Sequence, residues 1–171
     1  MPRSVEIGEG WEYSAERDEV STKGDGTRGL TYSVVADLEH FTKDNLTAAQ
    51  DRIDQGQDVL GIEYTTVPAY VDLARISALA NEITADSTTR LEQAMAIQDY
   101  LRSSQNFTYD TSVSPQGGGD SVSQFLDDRR GYCVHFATTM VMLARSLDIP
   151  ARIAVGYLGG HIGDNGTWSV I

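Results

Sequence analysis

The sequence predicts an α+β protein in which a helix beginning at Cys133 packs on an antiparallel sheet, with further helices before it. Two observations carry this expectation. From Pro68 onward apolar residues recur at helical spacing in successive segments. Runs rich in β-branched and aromatic residues, at 30–38, 151–158 and 167–171, read instead as strands set off by glycine-rich turns. The texture changes near Pro68, which divides the chain into a small strand-rich region, residues 1–68, and a core, residues 69–171.

In the N-terminal region, Glu9-Gly10-Trp11 and the run from Lys23 to Gly29 read as turns. Residues 30–38 form the clearest strand, and residues 41–55 are expected to hold a short helix. In the core, Leu73, Ile76, Ala80 and Ile83 define the apolar face of a helix starting near Pro68. Thr89 and Glu92 have the spacing of a capping box, followed by an apolar face of Leu91, Ala94, Met95, Ile97 and Leu101. Residues 106–109 suggest a brief strand, and Pro115 with Gly117-Gly118-Gly119 an irregular loop. Asp120 caps a short helix with Val122, Phe125 and Leu126 facing inward. Gly131-Tyr132 ends it, and the next helix starts at or beside Cys133 with Phe136, Met140, Leu143 and Leu147 along one side and Ala137, Val141 and Ala144 along another. Pro150 stops that helix. A strand over 151–158, a loop over 159–166 and a strand from Thr167 follow. The chain stops within that last strand pattern, on apolar residues that want a sheet partner, so a sheet incomplete at its C-terminal end is expected.

The net charge of −12 over 171 residues excludes a nucleic-acid partner in its usual form, because no basic stripe is present to neutralise phosphates. The acidity is explained by a solvated surface, or by attraction to cationic substrates such as lysine-bearing peptides. No apolar run approaches the roughly 18 residues of a membrane span. The three histidines are scattered and the single cysteine has no companion at ligand spacing, so neither a metal site nor another cofactor site is expected. One cysteine also excludes an internal disulfide.

Cys133 therefore stands out. A thiol in the first turn of a helix sits at the positive end of the peptide dipoles, which favours thiolate, and the first helical N–H groups are available to an oxyanion on an attacked carbonyl. Local context leaves a second role open, since free cysteine is among the most commonly buried residues. The wider pattern bears on the choice. Gly131-x-Cys133-x-x-Phe136-Ala137, then Leu147-Asp148-Ile149-Pro150-Ala151-Arg152 and Gly156-Tyr157, resembles the transglutaminase-like superfamily of papain-like cysteine enzymes. Asp148 departs from the commoner glycine, but aspartate tolerates left-handed backbone.

The resemblance implies a transglutaminase-like fold and a Cys-His-Asp arrangement acting on an amide or acyl carbonyl. Of the three residues only the cysteine carries over; the family histidine and aspartate are expected beyond Ile171, and this chain by itself is expected to be inactive. His135 is expected on the far side of its helix from Cys133, His161 in a loop, and His40 on the surface. Tyr109 matches the family's Phe-x-Tyr element, either as an oxyanion donor or as a packing tyrosine. Arg145 and Arg152 are expected to pair with carboxylates, and Asp127 to Arg130 to form a solvated helix end. The implied activity is acyl transfer or hydrolysis on a peptide or protein substrate; the alternative is a binding or scaffold module that keeps the fold without catalysis. The helices before the cysteine and Phe107-x-Tyr109 resemble a bacterial branch in which the domain is extracytoplasmic and anchored through membrane segments outside this chain.

Overall fold

Helix caps place most of the elements. The computed structural model describes residues 2–14, 19–24, 32–36, 42–54, 62–114, 120–155, 161–162 and 168–169. Thr42 and Asn45 cap each other at the start of α1, Lys43–Asp54: the Asn45 N–H donates to Thr42 Oγ1 and the Thr42 N–H to Asn45 Oδ1. Asp72 caps α2, Leu73–Ile83, by accepting from the Arg75 N–H at 3.0 Å. The expected start near Pro68 is thus displaced by one turn. Pro68 instead closes a turn by accepting from the Val71 N–H, and Leu73, now at the first helical position, is half exposed at 51% and not on the core face.

The Thr89–Glu92 capping box is present at the start of α3, Arg90–Arg102, with Glu92 also accepting from the Thr88 N–H and hydroxyl. Gln50 on α1 adds its Oε1 to the Leu91 N–H at 3.2 Å. Ile97 and Leu101 are buried as expected; Met95 is exposed. Asp120 caps α4, Ser121–Asp128, through the N–H groups of Val122 and Ser123. Its second oxygen accepts from the Asp72 N–H at 2.7 Å, so one carboxylate ties the starts of α2 and α4 together.

The chain divides into two compact units, Met1–Leu46 and Thr47–Ile171, and the expected boundary after residue 68 falls within the second. In the first unit β1, Pro2–Glu6, pairs antiparallel with β4, Ser33–Ala36, with Val5 opposite Val34. Strands β2, Trp11–Ser14, and β3, Glu19–Thr22, also pair antiparallel, so Trp11 opens a strand where a turn was expected.

The second unit is centred on α5, Cys133–Ser146, which packs mainly on α2, α3 and α4. Ile76, Ile97, Val122 and Leu143 are fully enclosed between these helices, each contributing roughly 1.5–3 kcal/mol by burial. Two short strands, β5, Thr108–Tyr109, and β6, Arg130–Gly131, pair in parallel just before α5. Asp148 adopts φ 56° at the end of α5, its N–H donating to the Arg145 carbonyl while the Ile149 N–H reaches Ala144, a Schellman closure. Beyond it the expected strand over 151–158 is not formed at 151–155: these residues pair with no strand among the described residues, and Val155 is 95% exposed. Residues 156–158 lie outside the described residues. An antiparallel pair, β7, His161–Ile162, with β8, Trp168–Ser169, puts a strand inside the expected 159–166 loop. The protein is therefore α+β, with helices and small, chiefly antiparallel strand pairs.

Thr139 is fully buried in α5 and its Oγ1 has no hydrogen-bond partner among the described residues. An unpaired buried hydroxyl costs about 1–3 kcal/mol, so Thr139→Val is expected to raise the midpoint of urea unfolding. A loss of stability by that variant would show that the hydroxyl is satisfied in solution.

Candidate active site

The site is built on the turn between α4 and α5. Arg129 ends α4 in left-handed backbone, φ 52°, and β6 then runs directly into the cysteine helix. Strand β5 fixes that segment. The Thr108 N–H donates to the Arg129 carbonyl at 2.8 Å and the Asp110 N–H to the Gly131 carbonyl at 2.7 Å. Asp110 also pairs with Arg130, and its carboxylate accepts from the Ser112 N–H and hydroxyl at 2.8 and 2.6 Å. Arg129 lies over the Phe107 ring at 5.9 Å, and Asp127 accepts from both terminal guanidinium nitrogens of Arg75 on α2. The expected solvated end at Asp127 to Arg130 is exposed at all four residues, and three of its four charges also meet other elements.

Cys133 is the first residue of α5 and is exposed, as its position after Gly131-Tyr132 predicts. The first N–H groups of a helix have no partner within it, and Cys133 and Val134 supply the first two of α5. Tyr109, the other predicted site residue, is in register with Gly131, two residues before the cysteine. Its ring is 63% exposed and stacks on Phe136, one turn after Cys133, with centroids 6.0 Å apart. The structure thus brings Tyr109 to the same end of α5 as Cys133.

Sequence reasoning missed the role of His135. Its Nδ1 accepts from the Tyr132 N–H at 3.3 Å, the backward half of a capping box, and its ring meets Tyr132 edge-on at 4.6 Å. The sequence offered little signal for it, since a capping box is read from Ser or Thr followed three positions later by Glu or Gln, and here the pair is Tyr132 and His135. The His161 side chain and all of His40 lie outside the described residues. Arg145 is corrected too. It does not serve a carboxylate in the contacts seen: its guanidinium donates to the Ala151 carbonyl at 2.9 and 2.7 Å and to the Thr66 carbonyl at 2.8 Å. With the Ala151 N–H donating to Tyr64, this fixes the chain after Pro150.

Cys133 thus stands exposed at the head of the central helix, and Tyr109 lies on a strand that meets the segment just before it. The family profile of the transglutaminase-like superfamily matches residues 77–170, and the chain belongs to that superfamily. The chain is 38% identical over 112 residues to YebA of Bacillus subtilis (strain 168), itself uncharacterized, covering 61% of the chain and 15% of that relative. It is 39% identical over 66 residues to a protein-glutamine gamma-glutamyltransferase of Pseudomonas aeruginosa PAO1, covering 38% of the chain and 10% of that relative. The chain therefore spans a small part of the curated relatives it matches. A Cytophaga hutchinsonii protein, provisionally named a cysteine protease in its crystal structure, aligns with a TM-score of 0.48 and 22% identity over 67% of this chain and 38% of its own.

The Asp110 carboxylate carries the pH dependence of the turn. The Ser112 hydroxyl and N–H, and then Arg130, lower its pKa from 3.8 to about 2. A carboxylate whose pKa is depressed by folding stabilises the native state above its unfolded pKa, and that contribution is lost as pH falls toward the folded value. Asp110→Asn is therefore expected to flatten the acid side of the stability profile between about pH 4 and pH 2, read as urea midpoints. An unchanged acid limb would show that the Ser112 and Arg130 contacts do not persist in solution.

Proposed function

We propose that Cys133 is the nucleophile of a thiol-dependent enzyme acting on amide bonds of peptide or protein substrates, in the whole protein to which this chain belongs. The observation that carries the proposal is the place of Cys133: first residue of α5, exposed, within a chain of the transglutaminase-like superfamily. The thiolate attacks the amide carbonyl, a thioester forms as the amine leaves with a proton, and water or a second amine then takes the acyl group. The N–H groups at the head of α5 face the oxyanion of that step, and Tyr109 is proposed as a further donor to it. The P. aeruginosa relative is named a glutamyltransferase, which favours transfer from glutamine side chains.

The proton acceptor is proposed to come from elsewhere in the whole protein. His135 offers its Nδ1 to Tyr132 and follows Cys133 by two positions, about 200° around the helix. The 171-residue chain is therefore expected to show no transglutaminase or peptidase turnover above background, while iodoacetamide labels Cys133 and Cys133→Ala abolishes the label. Turnover that disappears in His161→Ala would place the base within this chain and overturn that part of the proposal.

The domain is further proposed to work outside the cytoplasm, anchored by membrane segments of the whole protein. What supports this is the likeness of residues 64–157 to the anchored bacterial branch; no helix of the described residues is long and apolar enough to cross a membrane. Protease added to spheroplasts expressing the whole protein is expected to cleave this domain while the protein pellets with membranes. Recovery in the soluble fraction, protected from protease, would sink the assignment.

A further inference from the structure

We propose that His135 is a positioning residue for Cys133: its imidazole fixes the turn from which the cysteine helix departs. Three contacts define the arrangement. The Tyr132 N–H, on the residue just before the cysteine, donates to His135 Nδ1 at 3.3 Å. The imidazole is held between two rings, Tyr132 edge-on at 4.6 Å and Phe125 nearly parallel at 5.8 Å. The space it fills exists because residue 131 has no side chain. A Cβ on Gly131 would lie 2.8 Å from His135 Cγ and 2.9 Å from its Cβ, closer than real Cβ atoms come, and 3.0 Å from Nδ1.

These contacts act on one bond. The Tyr132 N–H belongs to the cap residue of α5, where no helical carbonyl can accept it. Left unpaired, it would compete for the Cys133 turn with any nearby acceptor or with water. An imidazole nitrogen that accepts must be unprotonated, so the proton of the neutral ring sits on Nε2. Asp128 and Arg130 border the same small cavity as His135, and Arg130 is itself engaged by Asp110. The histidine thus links the strand-paired segment behind the cysteine to the first turn of the helix that carries it. Its catalytic meaning rests on Cys133 being the nucleophile, but its structural claim does not.

Two measurements on the 171-residue chain test the proposal. In a long-range proton–nitrogen NMR spectrum at neutral pH, His135 is expected as the Nε2–H tautomer with Nδ1 unprotonated; an Nδ1–H tautomer would overturn the proposal. The second is the rate of iodoacetamide labelling of Cys133 in two variants checked for native circular dichroism. His135→Gln keeps an acceptor at the third helical position and is expected to stay within about twofold of wild type. His135→Leu fills the space without an acceptor and is expected to label about fivefold more slowly, the scale of a lost helix cap. Gly131→Ala should slow labelling similarly, and adding it to His135→Leu should cost little more, because both disturb one arrangement. Equal rates in the Gln and Leu variants would overturn the positioning role. If the Leu variant does not fold, the tautomer decides. Neither readout needs turnover, so an inactive whole protein with this tautomer and rate pattern would sink the proposed catalytic role and leave the positioning role standing.

Discussion

Three phenylalanine rings hold the cysteine-bearing unit in its working shape. Phe107 precedes β5, Phe125 lies on α4 and Phe136 on α5, and each ring contacts the other two at centroid distances of 5.0, 5.9 and 4.9 Å. No two of them share an element, so the cluster is where strand, helix and cysteine helix must agree. Tyr100 from α3 closes on Phe107 at 5.4 Å and Tyr109 on Phe136 at 6.0 Å, extending the cluster from the buried centre to the exposed site. Such ring pairs add about 0.5–1.5 kcal/mol beyond the area they bury. Their geometry also fixes the distance between β5 and α5, and with it where the strand can meet Arg129 to Gly131.

Around that apolar centre several polar side chains join separate segments. Asp120 serves two helix starts with one carboxylate. Arg145 reaches from the end of α5 to two stretches of irregular backbone, at Thr66 and Ala151, whose carbonyls no strand or helix satisfies. A guanidinium suits that task because its planar fork offers several donors at fixed angles. A lysine would supply the charge without the geometry.

Much of this was legible in the sequence where the signal was local. The Thr89–Glu92 box, the Asp120 cap and the left-handed Asp148 each depend on residues within four or five positions of one another, and each formed as its residue types require. Cys133 was legible for the same reason, since Gly131-Tyr132 and the apolar stripe after it define a helix start. What failed depended on distant partners. Residues 151–155 have the composition of a strand, but a strand needs a neighbour, and periodicity cannot say whether one is there. Asp127 to Arg130 are exposed as read, but nothing in their own stretch shows that Arg75, Asp110 and Phe107 come to meet three of them. For Arg145 abundant carboxylates suggested an ion pair, whereas its guanidinium meets the Ala151 and Thr66 carbonyls, which lie far from it in the sequence or beyond the helix end.

A thiol that stands open to solvent cannot be fixed by burial, because packing that would hold the sulfur would also cover it. Here the constraint is applied from behind. The β5–β6 pairing holds the residues before the cysteine, Phe136 anchors the residue one turn after it, and Gly131 gives up its side chain to the imidazole of His135. The backbone on either side of Cys133 is thereby specified while its own side chain and that of Val134, 55% exposed, face outward. The constraint between positions 131 and 135 runs one way: a Cβ at 131 would crowd the His135 imidazole where it stands, so that histidine placement requires a glycine.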